Sequence, residues 1–393
     1  MGSRGLLIFM IDTCVILAAG EGKRMRPLTT TRSKVMLPLA NKPMLEHLIV
    51  AAKGAGFTNI ILVVGYGERG IREYFGNGDS LGVAIQYVVQ RDQRGTADAL
   101  KVVEPFIEGS FVLLNGDMVL NVWDLRVLLS QDVPCMCISQ AEHPEDYGTV
   151  LVSDGKVIGL EEKSRHPKTN VINAGAYLLD ENIFGSLKSI QPSSRGELEL
   201  TDAMMMYIKQ GVLSTYELSF WMDVRNPWDM LDVNKRLLEG LSSAGEGTLI
   251  KPGVVIEGNV VIGNNCVIGP NAYIRGSTSI GDNCHIGHCT EIKNSIIMSG
   301  TKVPHFTYIG DSVIGSNCNF GAGTKVANLR HDHTNIKVCG QDTRRTKFGA
   351  IVGDNVKFGI NCSVNAGTII GSNVHFAPNT YVSGIIGDDT TIR

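Results

Sequence analysis

The chain has 393 residues, 43% hydrophobic and 19% charged, enough for two or three domains each with its own core. Lys plus Arg is 36 against 39 Asp plus Glu, a formal net charge of −3, and no block of like charge points to nucleic acid or a membrane surface as partner. Nine cysteines, an odd number without CxxC spacing, fit neither a disulfide framework nor a zinc ribbon, so a reducing cytoplasm is expected.

Residues 1–10 read as an N-terminal extension. The stretch RGLLIFMIDTCVILAAG imitates a secretory signal, but Asp12 interrupts it and CVILA reads as a first strand. No run of about 18 apolar residues suggests a membrane span.

From residue 11 to 240, strand-like runs alternate with helical patterns. CVILA is followed by a helix opened by Pro43, with Leu45, Leu48, Ile49 and Ala52 on one face, and then by IILVV, IQYVV and FVLLN. This alternation predicts a Rossmann-like α/β domain with a mainly parallel sheet. Its first strand runs into LAAGEGKRMRPLTTTRSK. Gly20 and Gly22 there let backbone N–H groups approach an anion, and Lys23, Arg24, Arg26, Arg32 and Lys34 can neutralise phosphates. The stretch is neither a P-loop, which needs GxxxxGK followed by Ser or Thr, nor a dinucleotide fingerprint, since Met25 stands where the third glycine belongs.

Asp117, in Asn-Gly-Asp after FVLL, falls at the carboxyl end of a parallel strand, where open α/β sheets bind ligands. Asp223 in FWMDVRNPWDM is a second carboxylate, and the two together could hold Mg²⁺ through hard oxygen ligands. Met204, Met205 and Met206 belong to a helix beside its core.

After a small-residue linker at 241–250 the rhythm changes. Ile256, Ile262, Ile268, Ile274, Ile280, Ile286 and Ile292 fall every six residues, and so do Val352, Phe358, Val364, Ile370, Phe376 and Val382. A six-residue period is no helix stripe; it predicts a coil of three short strands per eighteen-residue turn over 251–393, each strand turning one apolar residue inward. The section from about 299 to 350 breaks this register, with His305 at the break, and KVANLRHDHTNIKVCGQDTRRTK within it, residues 325–347, reads as a loop projecting from the coil. His331-Asp332-His333 and the Cys284, His285, His288, Cys289 group read as solvated loop and repeat corners, since zinc-finger spacing is missing.

The order of LAAGEGKRMRP, TTTRSKVMLPLANKP, QRDQRGTADAL, NGD, DYGTV, LEEK, INAGAY, RGELELTD and WMDV over residues 14–224 resembles the sugar-1-phosphate nucleotidylyltransferases. The resemblance implies that Ala19, Gly20 and Gly22 with Arg24 and Lys34 hold the triphosphate; Gln90, Gly95 and Thr96 the base; Gly148, Glu162 and Asn173 the sugar; and Asp117 and Asp223 the Mg²⁺. Ser33 stands where that family usually has proline. PHFTYIGDSVIG followed by NFGAGTKVAN resembles the acetyltransferase half of bifunctional enzymes that acetylate glucosamine-1-phosphate and uridylylate the product. That match implies a left-handed parallel β-helix of hexapeptide repeats, His305 as general base, and Arg275, Lys293, Tyr308, Asn319 and Asn328 on the sugar phosphate. It also implies acetyl-CoA beside Ala322, and a homotrimer with each acetyl site between neighbouring coils. Ile360 replaces a serine found near the acyl carrier in bacterial members. The combined expectation is a bifunctional enzyme that transfers a nucleotidyl group from UTP or dTTP and acetylates a hexosamine-1-phosphate. The alternative is nucleotidyl transfer alone, with the coil as scaffold.

Overall fold

The computed structural model describes residues 11–162, 164–193 and 196–393, so the expected extension at 1–10 lies outside the described residues. Two compact units emerge: the chain up to Glu21 together with 45–222, and 22–44 together with 223–393. Among the described residues no helix is long and apolar enough to cross a membrane.

The first unit is built on a nine-stranded sheet. Ala84–Val89, Asn59–Val64, Thr13–Ala18 and Phe111–Asn115 lie side by side and run parallel, as the alternating pattern predicts. Beyond them Val171–Leu179 runs antiparallel to Phe111–Asn115 and to Cys135–Gln140, and Ser214–Glu217, Lys156–Glu162 and Gly148–Ser153 complete the other edge. The uninterrupted apolar runs follow from burial on both faces: Val15, Val63 and Leu113 are sealed on one side, Ile16, Leu62 and Leu114 on the other. The helices Thr96–Lys101, Ile183–Leu187 and Leu200–Lys209 supply Leu100, Phe184, Leu200 and Met204 to the core that also holds Val15 and Leu113. The helix expected after Pro43 spans Met44–Ala55, with Leu45, Leu48, Ile49 and Ala52 fully buried.

The second unit is a parallel β-helix. One facet is an eight-stranded sheet from Leu249–Ile250 to Thr391–Ile392. The other two share a thirteen-stranded sheet, because Val255–Ile262 and Tyr273–Ile280 run unbroken round the corner between them. Twelve of the thirteen six-spaced positions are buried in one core, and Ile256 packs partly against it at the open end. Phe320, Phe358 and Phe376 stack there with ring centroids 4.5 and 5.0 Å apart. Ser243–Ala244 and Leu249–Ile250, in the stretch read as a linker, already pair with Val261–Ile262 and Val267–Ile268.

The expected break from 299 to 350 is corrected. The coil continues through Ile297, Val303, Ile309, Ile314, Phe320 and Val326, all buried in the same core. Two steps of five residues, Ile292 to Ile297 and Ile309 to Ile314, hide the period: Ile280 pairs with Ile297 and Ile297 with Ile314, each turn one residue short of eighteen. The projecting loop expected at 325–347 is there as an insertion at 327–349, where Lys337–Val338 and Gln341–Asp342 form a small hairpin, and Ile314 pairs with Val352 across it. His305 therefore ends a regular strand, Lys302–His305, in register with His288 one turn below, rather than sitting in a break.

Because Ile286 is fully enclosed and Ile256 only partly, Ile286→Ala should lower the unfolding free energy by about 2–5 kcal/mol and Ile256→Ala by distinctly less. Denaturant titration of the full chain checks this, and equal losses would contradict the inward register.

Candidate functional site

In the first unit the glycine turn begins where Thr13–Ala18 ends. Ala19 is buried and its carbonyl accepts the Tyr66 N–H at 3.0 Å, whereas Gly20 is exposed and a Cβ there would meet nothing within 4 Å. Gln90, Gly95 and Thr96 are brought together. Gln90 is buried, and its Nε2 donates to the Gly95 carbonyl at 3.2 Å and to Asp98 Oδ2 at 2.9 Å. Gly95 takes φ of 122° where a Cβ would stand 2.5 Å from the Leu198 carbonyl oxygen, so only glycine fits. Thr96 Oγ1 accepts the Leu200 N–H at 3.1 Å. The Gln90 amide nitrogen is thus spent on shaping this loop.

Gly148, Glu162 and Asn173 also converge. Gly148 sits opposite Glu162 on paired antiparallel strands, and a Cβ on it would lie 2.7 Å from Glu162 Oε2, so this carboxylate lies over the glycine. Glu161, next along the strand, points to the other face. Asn173 donates to the Tyr177 hydroxyl at 2.7 Å and accepts the Gly175 N–H at 3.0 Å. Burial raises the Tyr177 phenol well above its usual range, so it meets Asn173 as a neutral hydroxyl. Sequence reasoning missed Tyr147 and Trp221, whose rings meet edge to face at 5.6 Å while the indole N–H donates to the Ala174 carbonyl at 2.8 Å. Their places, beside Gly148 and two residues before Asp223, were the available signal. Asp117 is half-buried at the carboxyl end of Phe111–Asn115.

The second unit contains Gly22, Arg24, Lys34 and Asp223. Gly22 has φ of 71°, and a Cβ on it would lie 2.7 Å from Lys34 Cβ, so the lysine stem packs over the glycine. Lys34 is buried and Arg24 exposed. Ser33 holds φ of −64°, the value a proline would impose, and its buried hydroxyl has no hydrogen-bond partner among the described residues. Arg32, grouped by sequence with the phosphate-neutralising cations, is instead paired with Asp354. Asp223 ends Trp221–Asp223, with Arg225 Nε 3.4 Å from its Oδ2. Among the described residues there is no cluster of three or more metal-ligating side chains. The half-buried carboxylates of Asp117 and Asp223 are the hard oxygen donors Mg²⁺ prefers, and this ion ordinarily completes its shell with water and phosphate oxygens.

On the coil, Arg275, Lys293, Tyr308 and Asn328 gather along one facet and its corner. Arg275 pairs in register with Lys293, and Lys293 with Gly310, which lies against the Tyr308 hydroxyl and the Asn328 amide. Two acids missed in the sequence hold them. Glu291 accepts from Arg275 Nε at 2.7 Å, and Asp311 takes Lys293 Nζ at 3.5 Å, Asn294 at 3.2 Å and the Asn328 amide. Burial first, then Asp311 and Glu291, raise the Tyr308 phenol above its ordinary value, so it stays a neutral hydroxyl. His305 is exposed at the neighbouring corner, and its carbonyl accepts the Gly323 N–H at 3.0 Å, which stacks Ala322 on the next turn. Asn319 is not part of this gathering: it pairs with Lys302 and Lys357 on the eight-stranded facet. Exposed Ile360 follows Ala322 up the corner, where the Asn361 N–H donates to the Ala322 carbonyl at 2.8 Å.

A sheet ending in a glycine turn, joined to a β-helix with paired acids and bases on one facet, defines a two-part transferase architecture. The "Nucleotidyl transferase" family model matches residues 13–240, the "GMPPB C-terminal domain" residues 256–348, and the six-repeat "Bacterial transferase hexapeptide" model residues 349–384. The chain belongs to the nucleotidyl transferase family and is an enzyme. A "Bifunctional protein GlmU" of Methanococcus maripaludis is 42% identical over 90% of both chains. A "Bifunctional sugar-1-phosphate nucleotidylyltransferase/acetyltransferase" of Sulfurisphaera tokodaii is 35% identical over 95% of this chain and 97% of the relative. Among solved structures, a Bacillus anthracis protein described as a glucose-1-phosphate thymidylyltransferase in complex with sucrose is 30% identical, with a TM-score of 0.54 over 59% of this chain and 97% of its own.

One titration follows from the coil. Burial, then Lys251, His305 and Lys302, hold the His285 imidazole below its ordinary value. Below about pH 6.5 the unfolded chain binds this proton more readily than the folded one, so stability should fall as pH drops toward the folded value. His285→Gln should flatten that part of the acid-side loss, as denaturation midpoints at pH 7.5 and 5.5 would show.

Proposed function

We propose that the enzyme carries out two transfers, placing a nucleotidyl group on a sugar-1-phosphate and an acetyl group on a hexosamine-1-phosphate. What carries this reading is the facet where Arg275, Lys293, Tyr308 and Asn328 are fixed around Glu291 and Asp311 with His305 at its edge, an arrangement a passive scaffold does not need. The names of the relatives, bifunctional throughout the best-covered ones, support it.

In the first reaction a phosphate oxygen of the sugar-1-phosphate attacks the α-phosphorus of UTP or dTTP, and pyrophosphate leaves from the opposite side. Like charges must approach, so cationic groups and fixed orientation account for most of the acceleration. Lys34 and Arg24 face the triphosphate, with the N–H groups of the Ala19, Gly20 and Gly22 turn as further anion donors. Gln90, Gly95 and Thr96 hold the base; Gly148, Glu162 and Asn173 hold the sugar. Asp117 and Asp223 would hold Mg²⁺, which when bound lowers the phosphate charge.

In the second reaction the 2-amino group attacks the thioester carbonyl of acetyl-CoA. His305 accepts the amine proton, the C–S bond breaks, and the coenzyme leaves as its thiol. Arg275 and Lys293 bind the phosphate; Tyr308 and Asn328 orient the ring. Ala322, one turn above His305, leaves room for the acyl carrier. Asn319 would serve a neighbouring coil's site in a homotrimer, where facets of adjacent copies face one another. Nine free cysteines suit a reducing cytoplasm.

Two variants separate the chemistries. Asp117→Ala should cut pyrophosphate release by about 10²–10³-fold with Mg²⁺ present and leave acetyl transfer in place. His305→Ala should lower acetyl transfer to a hexosamine-1-phosphate by about 10²–10⁴-fold and spare nucleotidyl transfer. Wild-type enzyme that acetylates no hexosamine-1-phosphate would leave only the reading of nucleotidyl transfer on a scaffold.

A further inference from the structure

The segment 22–44, which carries Arg24 and Lys34, belongs to the same compact unit as the coil. It is anchored there on both sides of Lys34. On the N-terminal side, Thr31 Oγ1 donates to Asp354 Oδ2 at 2.6 Å and Arg32 Nη2 donates to the same oxygen. The guanidinium also reaches Ser316 Oγ at 3.3 Å and Met298 Sδ at 3.7 Å, so it lies along one corner of three successive turns. Asp354 itself is rigid: 6% exposed, it accepts the Ser316 N–H through Oδ1 at 2.8 Å, and its own N–H donates to Ser372 Oγ at 3.1 Å. On the C-terminal side, Asn41 Nδ2 donates to the Ile280 carbonyl at 2.7 Å. The Ala40 N–H donates to Asn234 Oδ1 at 2.8 Å, which in turn accepts the Ser279 hydroxyl at 3.0 Å.

We infer that Asp354, a residue of the coil, is a positioning residue for nucleotidyl transfer, setting the place of Lys34 through Thr31 and Arg32. The inference rests on the nucleotidyl-transfer reading above. Only Ser33 separates Arg32 from Lys34, too little chain for slack to absorb a shift at the anchor. Lys34 opens a tight turn, with the Leu37 N–H bonded to its carbonyl at 3.0 Å, so a displaced Arg32 drags the turn with it. A displacement of about 1 Å at a charged group aimed at phosphate is enough to cost about 10²-fold in rate. Removing the Asp354 charge also leaves Arg32, three-quarters covered, without its counter-ion, which drives the side chain away from the corner.

The test uses the full-length protein, with pyrophosphate release measured against triphosphate concentration. Asp354→Asn, which keeps the shape and removes the charge, should lower kcat about 10–100-fold, and Arg32→Ala should match it. The double variant should be no worse than either alone, because both remove the same anchor. Arg32→Lys, which keeps a cation for Asp354, should recover most of the rate, a rescue that a general loss of folding would not give. Single variants with wild-type kcat, or a double variant whose losses multiply, would overturn the inference alone. A wild-type enzyme that releases no pyrophosphate with any pair of triphosphate and sugar-1-phosphate would overturn the nucleotidyl reading as well.

Discussion

Parallel stacking of the coil is the constraint on which the second half of the molecule depends. Neighbouring strands in a ladder lie about 4.8 Å apart, so each residue stands directly over its register partner one turn below. Inward, this forces one apolar side chain per strand, which gives the column of Ile280, Ile297, Ile314 and Val352. Outward, it brings together residues distant in sequence. Arg275, Lys293 and Gly310 form one column, and Asn294, Asp311 and Asn328 an adjoining hydrogen-bonded chain. The cluster proposed for the sugar phosphate is thus a product of register, and each of its cations is paired with an acid. Glu291 and Asp311 hold long cationic side chains in extended poses that each would lose entropy to adopt alone.

The sheet unit achieves convergence by different means. Its sites stand where strands end and the chain must turn, so they depend on backbone conformations rather than on stacking. Gly95 occupies a region open only to glycine, against the Leu198 carbonyl, and Gln90 locks that turn from below. Gly148 is bare so that the Glu162 carboxylate can lie across it.

Much of this was legible in the amino-acid order, and the gaps have physical reasons. The six-residue period announced the coil because each inward position must be apolar. It vanished to the eye after Ile292 because one residue was dropped from a corner on two successive turns, which shifts every later position while leaving the core intact. The same shift made His305 look like a defect. Motif order singled out residues that pairing brings together, Gly148, Glu162 and Asn173 on the sheet and Arg275, Lys293 and Tyr308 on the coil. The acids Glu291 and Asp311 escaped notice because a carboxylate in a repeat corner resembles any other polar corner residue. Arg32 was misread because nothing local distinguishes a cation that meets phosphate from one that meets a carboxylate 322 positions away.

That separation bears on how the chain is made. Thr31 and Arg32 leave the ribosome well before the carboxylate that anchors them, which is synthesised 322 residues after Arg32. At about 5–20 residues per second the interval is roughly 15–60 s. Over that time the first sheet can form, since its strands lie within residues 13–217, and the Asn41 end of the segment can settle on Asn234 and Ile280, while the Thr31 and Arg32 end still lacks its carboxylate. The nascent enzyme therefore passes through a stage with a folded sheet and a cationic segment held at one end only, and fixing of its other end waits for the turn that carries Asp354.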